Sequence, residues 1–172
     1  MKDYEQNAKK WILENIHTLN ALWEHRESAI SFENAFRFDK RVYIAYGMTR
    51  IVIVGEDFVI KINKSKTKRW EMFGNSRDEV RMYKKAVKDG YDWLFCRIRA
   101  MIIEHHTYYI MEKVDATAED EGYSGNISEE FEEYLGEEAI DYINENVFDI
   151  HNENFGFIDD EPKIFDYAAN YC

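Results

Sequence analysis

The stretch Asp149-Ile-His-Asn-Glu-Asn154-Phe-Gly-Phe-Ile-Asp-Asp-Glu-Pro-Lys-Ile-Phe-Asp166 decides how this chain of 172 residues is read. An Asp, an Asn five residues later and a second Asp twelve residues beyond that flank a short apolar hairpin. Carboxylate and carboxamide oxygens in such an arrangement could supply a catalytic carboxylate and two ligands for a hard divalent cation in one cleft. Each residue also has a local reading. Asp149 and Asn154 suit turns, where such side chains bond their own backbone, and Asp166 suits the end of a strand over Pro162 to Phe165.

Working upstream, Phe58-Val-Ile-Lys61-Ile sets a lysine among apolar strand formers, and Glu79 follows 18 residues later on the next helical segment. Phosphoryl transfer needs a donor held by its phosphates, metal to neutralise developing charge and a carboxylate near the accepting hydroxyl. Lys61 and Glu79 supply the missing parts, the glutamate orienting the lysine toward phosphate. Taken singly, Lys61 is open to surface alternation, and Glu79 to closing a capping box on Ser76 in Ser76-Arg-Asp-Glu79.

In order, Val59-Ile-Lys61, the helical Glu79, Tyr108-Tyr-Ile-Met-Glu-Lys-Val-Asp115, the Asp149–Asn154 run and Ile164-Phe-Asp166-Tyr resemble the protein kinase superfamily. The nearest branches are the aminoglycoside phosphotransferase-like proteins and small phage-encoded kinase-like proteins, and the likeness spans about residues 41 to 169. The resemblance implies a minimal, C-terminally truncated kinase-like fold of α+β class, with a small antiparallel sheet, a helix equivalent to the kinase αC and a reduced helical C-lobe. It implies ATP and Mg²⁺ as cofactors. Lys61 would contact phosphates and Glu79 would pair with it. Glu112 and Val114 would receive adenine through the hinge backbone, Asp149 would act on the acceptor, and Asn154 and Asp166 would hold metal. His151 falls where the phosphotransferase-like branch has the His of its Asp-Leu-His-x-x-Asn pattern.

Two departures accompany the likeness. The phosphate-wrapping hairpin reads Ala45-Tyr-Gly47-Met-Thr-Arg50, with one glycine, so Gly47, Thr49 and Arg50 are the candidates for phosphate contact. The last motif reads Asp166-Tyr-Ala168, and the sequence stops six residues past Asp166, with no length for an activation segment or a peptide-binding platform. The resulting division is a helical extension over 1–40, a kinase-like N-lobe and hinge over 41–114, and a C-lobe over 115–172.

A formal charge of −12 opposes broad attraction to nucleic acid or anionic lipid. Local cations and metal still allow a phosphorylated ligand. Residues 115–145 carry twelve Asp/Glu and no Lys/Arg, which suits docking on a basic host protein. The competing reading is therefore a pseudokinase used as an acidic inhibitor or anti-defence factor. Cys96 and Cys172 are too few for a disulfide scaffold and have no zinc spacing, and His105-His106 is only a local pair. No apolar leader or membrane-length run is present, so the expected location is cytoplasmic, in the host if the protein is phage-encoded.

Periodicity predicts one helix over residues 4–26, with Trp11, Ile12, Ile16, Leu19, Leu22 and Trp23 at helical spacings, followed by an irregular aromatic connection over Ser31 to Asp39. Strands are expected at Arg41–Tyr46, Arg50–Val54, Phe58–Asn63 and Thr107–Val114, with less regular strand pieces over 93–104. An exposed basic loop should follow Lys64. Helices are expected from Ser76 to Lys88, with Val80, Tyr83 and Val87 inward, and over Glu129 to Asn146 after a connection at 115–128.

Overall fold

In the computed structural model, which describes residues 3–26, 28–64, 74–116, 132, 134–147 and 154–167, strand formers in the middle of the chain set the architecture. The class is α+β, and the chain divides into two compact units. One comprises Met1–Arg77 with Ile98–Lys113, the other Asp78–Arg97 with Val114–Cys172.

In the first unit β1 (Tyr43–Tyr46), β2 (Arg50–Val54), β3 (Phe58–Asn63), β4 (Ile98–Ile103) and β5 (His106–Glu112) form an antiparallel sheet ordered β1-β2-β3-β5-β4. Successive side chains of a strand point to opposite faces. Phe58, Ile60 and Ile62 therefore share one face, where they join Ile51, Ile53 and Ile110 in a single core. Three helices complete that core: α1 (Tyr4–Glu14), α2 (Ile16–Trp23) and α3 (Ala29–Phe36) contribute Ala8, Trp11, Ile12, Leu19, Phe32 and Phe36. The amino-terminal helices are thus part of the same packed body as the sheet.

Two expectations need correction here. The single helix over 4–26 is broken at Asn15, whose Nδ2 donates to Trp11 O at 2.9 Å. An amide that bonds back to the preceding turn competes with the helical ladder, and Asn15 leaves helical geometry at φ −109°, ψ 10°. The irregular connection over Ser31–Asp39 is largely α3, capped by Ser28 Oγ, which accepts the Ser31 N–H at 3.4 Å. Phe32 and Phe36, one turn apart, are its buried face.

After α3 the chain is clamped before it enters the sheet. Trp11 Nε1 donates to Asp39 Oδ2 at 3.0 Å, and the Arg41 guanidinium donates to both Asp39 carboxylate oxygens. The Arg41 backbone N–H also donates to Asp39 Oδ1, which holds residues 39–41 in a turn and starts β1 at Tyr43 rather than at Arg41.

The second unit contains most of α4 (Ser76–Asp89), a 3₁₀ turn at Asp92–Leu94, α5 (Glu137–Asn146) and a small sheet of β6 (Asp115–Ala116), β7 (Phe155–Ile158) and β8 (Glu161–Ile164). Gly90 ends α4 in the left-handed region at φ 84°, and the Tyr91 N–H bonds back to Ala86 O at 2.9 Å, a Schellman closure. Tyr142 of α5 stacks on Tyr91 at 4.1 Å and donates its hydroxyl to Asp89 Oδ2 at 3.1 Å. Burial, reinforced by that bond, pushes the Tyr142 hydroxyl up to about 12. The helix expected over Glu129–Asn146 is interrupted at Gly136, whose extended backbone precedes α5, while the described residues Glu132 and Tyr134 before it are helical. Residues 129–131 and 133 lie outside the described residues, as do those of the expected basic loop beyond Lys64 and most of the 115–128 connection. Among the described residues no helix is long and apolar enough to cross a membrane.

Tyr167, fully buried, locks the chain after β8, with its hydroxyl donating to Cys96 O at 2.6 Å and its ring edge-on to Phe95 at 4.9 Å. Cys96 in turn donates its N–H to Ile164 O at 2.8 Å, so residues 95–96 and 164–167 form one knot.

This packing has three measurable consequences. Ile12→Ala should lower unfolding stability by about 2–5 kcal/mol in urea titrations, as a core truncation does; a value near zero would mean that α1 is a detachable arm. Tyr167→Phe should cost about 1–2 kcal/mol for the lost bond and Tyr167→Ala about 3–5 kcal/mol. The Arg41 hydrogen bonds hold the Asp39 carboxyl down to about 2. Its stabilising effect is therefore present above the unfolded value near 3.9 and lost as pH falls from about 4 to about 2. The stability gap between the wild type and Asp39→Asn should close over that interval and stay constant above it.

Candidate functional site

The face of the first unit's sheet opposite its core carries the candidate cations. Lys61 shares that face with Val59 and Asn63, directly between Val52 of β2 and Tyr109 of β5. It is only 5% exposed, which rejects the reading of surface alternation. Lysine is almost never so buried unless its charge serves an interaction. Arg50 lies on the same face, opposite Asn63 in register and 7% exposed. Asn63 being two residues beyond Lys61, the two cations are diagonal neighbours, a spacing of roughly 7–8 Å between backbones.

The turn from β1 to β2 lies beside them. The Gly47 N–H donates to Arg50 O at 3.1 Å, Lys64 Nζ donates to Gly47 O at 2.7 Å, and the Lys64 N–H donates to Thr49 O at 2.9 Å. Lys64 thus pins the Gly47 and Thr49 carbonyls of the turn expected to wrap phosphate. Gly47 is not in the left-handed region, and a Cβ built on it meets nothing within 4 Å. Folding does not require glycine at this position. Thr49 is buried at the same turn.

The hinge candidates are placed by the end of a ladder. The β4–β5 pairing stops at Ile98–Met111, one residue before Glu112, while Glu112 still pairs with Phe58. Lys113 donates its N–H to Asp57 O at 3.3 Å and is the last residue of the first unit; Val114 begins the second. Glu112 and Val114 are both half-buried.

At the start of α4 the expected capping box is replaced. Asn75 Oδ1 accepts the Arg77 N–H at 2.9 Å and Asn63 Oδ1 accepts the Ser76 N–H at 3.1 Å, while Ser76 Oγ is buried without a hydrogen bond. Asn63 bonds the Ser76 N–H that Glu79 would have bonded, and Asn75 caps the helix one residue before Ser76. Glu79 instead lies on the helix's buried stripe with Ser76, Met82 and Ala86, at 0% exposure. The expected inward face of Val80, Tyr83 and Val87 is displaced by one residue, and Val87 is exposed. A carboxylate at that depth is costly unless it is paired or bonded.

In the second unit the β7–β8 hairpin brings Asn154 and Asp166 to its open end. Its two-residue turn, Asp159-Asp160, has both φ angles positive, at 51° and 65°, as a tight hairpin of primed type requires. Phe155 pairs with Ile164, and one step further the Phe165 N–H donates to Asn154 O at 2.9 Å. Asn154 is buried and Asp166 half-buried. Carboxamide and carboxylate oxygens at one hairpin mouth are a donor set suited to Mg²⁺. Asp149 and His151 lie outside the described residues.

The structure therefore groups Lys61 with Arg50, and Asn154 with Asp166, each pair within its own unit. The sequence reading missed Asn63 and Asn75 as the clasp at the start of α4. A strand-ending Asn and the Gly74-Asn75 pair before Ser76 were its only signals. No family model matches the chain, and neither a curated protein nor a solved structure matches it.

Proposed function

We infer that this protein is a minimal kinase-like phosphotransferase that uses ATP and Mg²⁺. The observation that carries the reading is Lys61, a lysine sunk to 5% exposure in a central strand beside a second buried cation, Arg50. Two cations on the non-core face of a sheet suit a polyphosphate, whose charge they neutralise where water is excluded. In this reading Lys61 holds the phosphates and Glu79 orients it. Arg50 and the turn at Gly47 cover the phosphates, and the backbone of Glu112 and Val114 receives the base. Asn154 and Asp166 hold the metal, and Asp149 positions the acceptor hydroxyl and takes its proton. When bound, Mg²⁺ and ATP supply the transferable phosphoryl group and neutralise its developing charge.

A second reading is a pseudokinase that docks on a basic host protein. It draws on the outer face of α5, where Glu137, Glu138, Asp141 and Glu145 are all exposed, and on the single glycine of the β1–β2 turn. The two readings share the fold and differ in turnover, and the second does not require nucleotide.

Titration with a non-hydrolysable ATP analogue tests the nucleotide site. Binding should require Mg²⁺ and fall at least about tenfold in Asp166→Ala and in Lys61→Met, with Gly47→Ala folded as the wild type. Absence of binding at millimolar analogue would refute the nucleotide site. Given binding, Asp149→Ala should lower ATP turnover about 10²–10⁴-fold; wild-type turnover no higher than that of this variant selects the pseudokinase.

A further inference from the structure

Strand β1 forms one edge of the five-stranded sheet, and among the described residues nothing pairs with its outer side. The Gly47 N–H bonds to Arg50 O, one step beyond the Tyr46–Ile51 pair. Bonded and non-bonded pairs alternate along an antiparallel ladder. Ala45–Val52 and Tyr43–Val54 are then the bonded pairs, and the N–H and C=O groups of Ile44 and Tyr46 point away from β2. An open row of this kind is a template for another strand, and native edges are normally blunted with charge or proline. The opposite edge, β4, carries Arg99 tied to Glu5 at 2.6 Å. Along β1 the exposed side chains are instead Tyr43 at 61% and Tyr46 at 65%, with Met48 beyond them and Phe38 before them.

Charge selects the occupant. Exposed Arg37 and Lys40 precede the strand, Arg41 being already paired with Asp39 and Glu14, and Lys64 sits at its other end through its bond to Gly47 O. Two-fold pairing of β1 with β1 of a second copy would run antiparallel and set Lys40 of one chain beside Lys64 of the other. Like charges so placed oppose self-pairing. An acidic strand meets cations at both ends instead.

We propose that the free edge of β1 is a docking site for an extended acidic peptide segment of a partner protein, which adds to the sheet as a sixth strand. Main-chain bonds to Ile44 and Tyr46 supply affinity, the aromatic side chains cover the added strand, and the flanking cations choose acidic sequence. This surface is independent of the nucleotide reading, so either can fail alone.

The test is fluorescence anisotropy with a labelled peptide of alternating Glu and Val, long enough to span β1, and its counterpart with Lys in place of Glu. The acidic peptide should bind, and the lysine peptide should bind at least about tenfold more weakly. Tyr46→Pro removes an outward N–H that β2 does not use, a substitution edge strands tolerate. It should weaken binding at least about tenfold while the thermal melt stays cooperative. Lys40→Glu, at an exposed position, should also weaken it and leaves every backbone group in place. Equal binding of both peptides, or binding undiminished in both variants, overturns the proposal. A concentration-dependent dimer abolished by Tyr46→Pro, with no peptide bound, assigns the edge to a second copy and overturns it too.

Discussion

Strand β3 alternates Phe58, Ile60 and Ile62 with Val59, Lys61 and Asn63, and the first unit depends on that two-residue period. One face needs an apolar cover, which the sheet's hairpins cannot supply by themselves and which α1, α2 and α3 provide. The other face holds a lysine and, across the ladder, an arginine, neither of which tolerates an apolar neighbourhood without compensation. A one-residue slip of β3 against β2 would turn Lys61 into the isoleucine core and Ile60 and Ile62 out of it. Register is therefore fixed from both sides at once, by apolar gain on one face and by the cost of misplaced charge on the other.

Legibility in the sequence obeyed the same physics. β2 and β3 were readable to the residue because their Val/Ile density is bounded by Gly47, by Gly55 with its adjoining turn, and by the Asn63-Lys64 polar step. The helix α3 was not, since its only apolar signal within the expected connection is Phe32 and Phe36, and their aromatic neighbour Phe38 is exposed. The inward face of α4 misled for a sharper reason. Hydrophobic periodicity favours Val80, Tyr83 and Val87, yet the buried stripe contains Ser76 and Glu79. Pattern reading assigns polar residues outward, so it fails wherever a carboxylate is buried. The site's residue types could be read from the chain; the depth of Lys61 and Glu79 could not, because depth depends on what packs around them.

The hairpin over 155–164 shows how a small apolar element can present polar groups. Gly156 faces β6 so closely that a Cβ built on it would lie 2.8 Å from Asp115 O and 2.8 Å from Val114 Cγ2. Its absence of a side chain lets β6 and β7 pair, and Ala116 opposite Gly156 keeps the contact tight. Beside it, at the open end of the same hairpin, the Tyr167–Cys96 bond and the Cys96–Ile164 bond anchor the segment that leaves β8. Asn154 and Asp166 therefore extend from an anchored hairpin, which in the proposed reading would limit their freedom before a ligand binds. Rotamer and backbone entropy already lost on folding need not be lost again on binding.

Net charge bears on how such a site would be used. At −12 the chain as a whole repels a polyanion, but at physiological ionic strength this repulsion is screened beyond about 8 Å. Inside that distance, in the proposed reading, the buried cations Arg50 and Lys61 outweigh the net charge, because few waters compete with them. In the proposed reading a free nucleoside triphosphate would also face the carboxylate of Asp166. Complexed with Mg²⁺ it carries less charge and brings a partner for that carboxylate. The same acidity that weakens attraction to nucleic acid thus makes metal the condition of nucleotide binding in the proposed reading, since without the cation Asp166 changes from a ligand into a repulsive neighbour.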